Sequence, residues 1–243
     1  MRSPALTAAL ADIDTVFDGF ASPTETGCGR CHLPEETAHL RTPYTRVPPE
    51  VLDMYLFEVP DHFDDHAASM RRLLPQGARA MVDGALDGFG WGFHGLARAD
   101  WRRWPVEQAD AVEAWVTAWW AEVVRSPDPP YPVEDVFETC AAILRDAGPL
   151  VDRWERHPVA DAHLVAALGA WLEELLEDRS PFTWIPHAED ELLAALRSWV
   201  AAHAPARLRA LGEPDLAERA GLLALSYDDR WAHPYWRTAS ATN

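Results

Sequence analysis

Apolar side chains recur along this chain at three- and four-residue steps, in stretches punctuated by proline and glycine, and that spacing predicts helices from end to end. In the opening segment Ser3 is placed to cap and Pro4 to occupy the first turn, with Leu6, Leu10, Ile13, Phe17 and Phe20 along one face. Residues 21–33, ASPTETGCGRCHL, are polar and contain glycine, so they form a loop. Pro34 with Glu35 and Glu36 then opens a short helix ending near Arg41. A proline-marked connection, TPYTRVPPE, leads to a helix starting at Pro49 and interrupted at Pro60. DHFDDHAASMRRLL and GARAMVDGAL follow as two helices divided at Pro75, because a helix normally ends before a proline, and GFGWGFHGL follows as a turn.

The helix expected over 105–125 carries Val112, Trp115, Val116, Trp119 and Val123 as its buried stripe, with Glu107 supplying negative charge to its first turn. PDPPYP breaks the chain, and further helices are expected near 133–146, 149–156, 159–178, 187–203, 205–211 and 214–226, most with a proline near the start. No alternating strand pattern of useful length is found. The fold class is therefore all-α: a multi-helix globular array or bundle, or a set of helix-pair repeats, with a knuckle-like loop near the N-terminus. The proline-rich stretch at 126–132 divides it into an N-terminal helical part, 1–125, and a C-terminal one, 133–237, unless 1–237 is a single domain.

Charge narrows the partners. Asp and Glu number 39 against 21 basic residues, all of them arginine, for a net charge of -18. Such a surface repels phosphate backbones, so nucleic acid is excluded as a partner. The absence of lysine rules out Schiff-base and lysine-base enzymes. No apolar run approaches the ~20 residues of a membrane span, and Asp12, Asp14 and Asp18 interrupt the place where an export signal would lie, so a cytoplasmic, membrane-free protein is expected. Of the twelve tryptophans, Trp115, Trp119, Trp120, Trp154, Trp171 and Trp199 read as core, whereas Trp91, Trp101, Trp104, Trp184, Trp231 and Trp236 fall in loops or at helix ends.

Candidate chemistry gathers near the N-terminus. Cys140, among apolar neighbours, reads as a buried hydrophobe, which leaves Cys28-Gly29-Arg30-Cys31-His32. The motif matches the haem-attachment pattern, but covalent haem belongs to exported proteins, and a thioredoxin-like redox pair would need a preceding strand that ASPTETG does not supply. A metal knuckle remains, and two thiolates with imidazoles suit zinc. The expected ligands are Cys28, Cys31, His62 and His66, the histidines four apart on a helix face, with His32 and His39 as alternates. A harder-ligand centre built from Asp61, His62, Asp65, His66 and the Glu36-x-x-His39 pair is the competing arrangement.

CGRCHLPEETAHLR, LLP at 73–75 and ARADWRRWPVEQADAVEAWVTAWW at 97–120 together resemble a group of bacterial hypothetical proteins with a two-cysteine loop and a tryptophan-proline helix start. The resemblance covers about the first half of the chain and implies no activity, so no residue role comes with it. Two functions stay open. One is a non-enzymatic, zinc-binding helical protein that mediates protein–protein interaction. The other is a metal-dependent, hydrolase-like enzyme with Asp61 or Asp65 as general base to a metal-bound water.

Overall fold

A computed structural model describes residues 2–89, 95–183 and 189–239, and among them every regular element is helical. They fall into two compact units, the first ending at Arg145 and the second starting at Asp146, so the proline-rich stretch at 126–132 lies inside the first.

The first unit contains α1 (Pro4–Val16), α2 (Pro34–Arg41), α3 (Pro49–Leu56), α4 (His66–Val82), α5 (Gly95–Arg98), α6 (Val106–Val123) and α7 (Val133–Leu144). Ser3 caps α1 through its hydroxyl, which accepts from the Leu6 N–H at 3.3 Å, and Pro4 occupies the first turn as expected. Leu6, Leu10 and Ile13 are buried, and α1 packs against α4 and α6. Along α6 the expected stripe is buried, and Trp115 and Trp119 stack with their ring planes 3° apart. Cys140 is fully buried in α7, where burial pushes its thiol pKa up.

Two expectations need correction. The break at Pro75 does not occur: α4 runs through it from His66 to Val82. Proline costs an interior helix one backbone hydrogen bond, but Met70, Leu73 and Leu74 before it and Ala78 and Met81 after it all enter one core, which outweighs the loss. Pro205 likewise lies within a single helix, Glu189–Ala210, where two had been expected. Trp101 and Trp104 lie at the ends of a short 3-10 turn, as expected, and both are buried, with the Trp101 indole N–H donating to the Ile143 carbonyl at 2.9 Å. Trp91 and Trp184 lie outside the described residues, as does most of the glycine-rich segment expected to turn there.

The end of α3 approaches α4 closely. Gly77 faces Leu56 so tightly that an added Cβ would meet the Leu56 side chain at 2.8 Å. The end of α3, with Glu58 two residues beyond it, is thereby seated against α4.

The second unit is built on α8 (Gly148–Val151), α9 (Pro158–Leu176), α10 (Glu189–Ala210), α11 (Pro214–Leu222), α12 (Tyr227–Ala232) and α13 (Tyr235–Ala239). α10 packs against α11, and the buried Arg207 ties α10 to the start of α9 through Asp161 and the carbonyls of Trp154 and Glu155, each carbonyl at 2.8 Å. No described helix is long and apolar enough to cross a membrane.

Candidate metal centre

The loop between α1 and α2 is held by a buried carboxyl group. Glu25 is 0% exposed, and its Oε1 accepts from the N–H groups of Gly27 at 3.0 Å and Asp64 at 2.9 Å. Its Oε2 accepts from the Asp65 N–H at 3.3 Å and the Ser69 hydroxyl at 3.0 Å. The Asp64 carboxylate answers in the other direction, accepting from both the backbone N–H and the hydroxyl of Thr26. Arg41 of α2 completes the frame by donating to the Glu25 carbonyl at 2.6 Å and to the Thr37 hydroxyl at 2.8 Å. The cysteine loop is thus bound to the 64–69 segment on one side and to α2 on the other.

Beyond Glu25 the chain turns through Gly27 (φ 71) and Gly29 (φ 67), the left-handed region where a Cβ is disfavoured. The turn is tight enough for the Cys31 N–H to donate to Cys28 Sγ at 3.2 Å. That bond, with a second from the Arg30 N–H, lowers the Cys28 thiol pKa to about 7. The side-chain hydrogen bond to Cys28 raises the Cys31 thiol pKa in turn. His32 turns inward: its ring is wholly buried, 4.7 Å from the Tyr55 ring, and its Nδ1 has no hydrogen-bond partner.

The expected helix face carrying His62 and His66 together is not formed. Pro60 starts a separate 3-10 turn, Pro60–His62, after which Phe63 is extended. Asp65 then caps α4, its Oδ1 accepting from the Ala68 N–H at 2.9 Å, so the helix begins only at His66. His62 is carried back over the end of α3, where its Nδ1 lies 2.9 Å from Glu58 Oε1. The other Glu58 oxygen lies 3.2 Å from His32 Nε2. Burial opposes the charge on Glu58, but the Val59 N–H and the two imidazoles outweigh it and hold this carboxyl below the usual range.

Among the described residues two groups of metal-competent atoms result. Cys28, Cys31 and His62 offer donor atoms all within 4.8 Å of one another, and so do His32, Glu58 and His62. Of the expected ligands the structure brings together Cys28, Cys31 and His62, with the alternate His32 beside them. His66 and His39, the latter in the last turn of α2, belong to neither group. The harder-ligand arrangement is not assembled either, since Asp65 is engaged as a cap and Asp61 is exposed outside both groups. Glu58 escaped the sequence reading, and its only sequence signal is its position four residues before His62. No family model matches the chain, nor does any curated protein or solved structure. Residue roles therefore rest on the donor set itself: two soft thiolates, imidazole and a neighbouring carboxylate, a combination suited to zinc.

His66 has a different consequence. Burial, and then the charge of Arg98, lower its pKa from 6.5 to about 4. The unfolded chain therefore takes up this proton first as pH falls, so the neutral ring's contribution is complete above 6.5 and is lost toward pH 4. Denaturant unfolding should show a loss of up to about 3 kcal/mol across that interval, and His66→Gln should flatten it. Equal pH slopes for both proteins would contradict the assignment.

Proposed function

We propose that this is a non-enzymatic, zinc-binding helical protein in which the ion ties the cysteine loop to the Pro60–His62 turn and the acidic body docks a protein partner. The observation that carries the reading is the convergence of Cys28, Cys31 and His62 within 4.8 Å. Glu58, whose Oε1 lies 2.9 Å from His62 Nδ1 but which stands outside the group holding the cysteines, is our candidate for the fourth ligand. Four protein ligands make a closed, structural site, whereas a catalytic one keeps a position for water. The aspartates also favour the closed reading, because Asp65 serves as a helix cap and Asp64 is bound to Thr26, which leaves only the exposed Asp61 as a base. Thiolate ligands persist in a reducing compartment, in keeping with a cytoplasmic protein.

The partner's chemistry follows from the charge of -18, which complements a basic protein surface and repels nucleic acid. Charge carries this part better than the tryptophans do, since Trp101, Trp104, Trp115, Trp119, Trp120, Trp154 and Trp171 are all buried.

Elemental analysis of protein purified without added metal tests the site. About one zinc per chain is expected. His62→Ala should lose it, Glu58→Ala should weaken affinity by about 10–100-fold, and His66→Ala should retain it. Stably folded, metal-free wild-type protein would overturn the proposal. Full zinc retention in Glu58→Ala would turn it toward the hydrolytic alternative, with an open metal position.

A further inference from the structure

A second feature of the first unit lies apart from the cysteine loop. Arg72 of α4 is only 8% exposed, yet among the described residues no carboxylate pairs with it. Its guanidinium donates to the carbonyls of Thr42 and Thr45 and to the Thr45 hydroxyl, while burial alone pushes its pKa down, with no anion to raise it again. A buried positive charge compensated only by carbonyl dipoles favours any anion that can reach it.

Arg72 can be reached, because it lines a cavity of about 350 Å³ between the end of α1, the 44–46 segment and α4. That volume suits a small molecule, ligand pockets commonly running from about 300 Å³ upward. Arg46, exposed and without an ion-pair partner among the described residues, lines the same cavity, as does Asp18, exposed and likewise unpaired among them. Asp14 also borders it, but Arg79 claims that carboxylate. The remaining charges are thus two arginines and one free aspartate, set among the apolar rings of Phe17, Phe20 and Tyr44.

Tyr44 adds an independent sign. It is 78% exposed and holds φ 63, a left-handed conformation that bulky side chains rarely adopt. Its ring lies over Gly19 (φ 72), where any Cβ would collide with the tyrosine hydroxyl. An exposed aromatic ring held in a strained backbone at a cavity edge is the kind of feature that accompanies ligand sites.

We propose that this cavity binds a small zwitterion of the apolar α-amino-acid class. Its carboxylate is taken by Arg72 and Arg46, its ammonium group by Asp18, and its side chain by the rings of Phe17, Phe20 and Tyr44. A simple anion fits less well, because Asp18 would repel it.

Calorimetric titration with L-phenylalanine, 3-phenylpropionate and 2-phenylethylamine tests each charge in turn. The amino acid is expected to bind, and the analogues lacking its ammonium or its carboxylate should bind at least about tenfold more weakly. Arg46 and Asp18 are exposed, so Arg46→Ala and Asp18→Asn should keep the wild-type melting temperature. Arg46→Ala should weaken L-phenylalanine about tenfold, and Asp18→Asn should abolish the preference for L-phenylalanine over 3-phenylpropionate. Three outcomes would overturn the proposal: no binding of any standard amino acid at ~10 mM, equal binding of 3-phenylpropionate by the wild type, or binding indifferent to both substitutions.

Discussion

Glu25→Ala is expected to destabilise the first unit by about 3–5 kcal/mol, although the residue stands in a polar loop. The side chain is fully buried and its two oxygens collect three backbone N–H groups and the Ser69 hydroxyl. Truncation strands those donors at about 1–3 kcal/mol each, offset in part by water entering the space left behind. Glu25→Gln keeps the volume but turns an NH2 group toward groups that are themselves donors, so roughly half the loss should remain. Urea unfolding of the three proteins would show the order wild type, Gln, Ala. Because Glu25 fixes the entry to the cysteine loop, zinc affinity should fall in the same order. A loss below about 1 kcal/mol in Glu25→Ala would mean that the loop is held by other contacts.

The second large effect concerns the ion. If zinc binds the folded chain and not the unfolded one, stability rises with free metal by about 4 kcal/mol at a thousandfold excess over Kd. Cys28→Ser/Cys31→Ser should remove that gain and leave a protein whose stability no longer responds to chelator. Cys31 is exposed and Cys28 half-buried, so the double substitution itself costs little packing. The metal-free wild type and the double variant should therefore melt alike. The variant melting well below the chelated wild type would assign the cysteines a packing role instead. Proteolysis within 26–33 should accelerate on chelation, whereas cleavage in the second unit should not change.

How much of this was legible in the sequence varies by element. α1, α2 and the start of α3 lie where Ser3, Pro4, Pro34 and Pro49 predict, because capping and first-turn proline are local effects of a few residues. α6 was equally plain, its valines and tryptophans repeating at helical steps over five turns. At Pro75 and Pro205 local reasoning failed, since whether a helix survives an interior proline depends on what both halves bury. His66 failed in a related way. The spacing from His62 suggested a shared face, but the Asp65 cap starts the helix only at His66, four residues too late for His62 to belong to it.

The sequence by itself determined that the chain is helical, acidic and equipped with a two-cysteine turn, because periodicity, charge and a glycine-spaced motif are properties of neighbouring residues. Only the tertiary structure decided what the turn meets. Glu25 reaches residues 39 to 44 positions away, and Glu58 bridges His32 and His62, one of them 26 positions back along the chain. Contacts at that range depend on how α3 seats against α4 at Gly77, where packing selects the partners that sequence spacing leaves open.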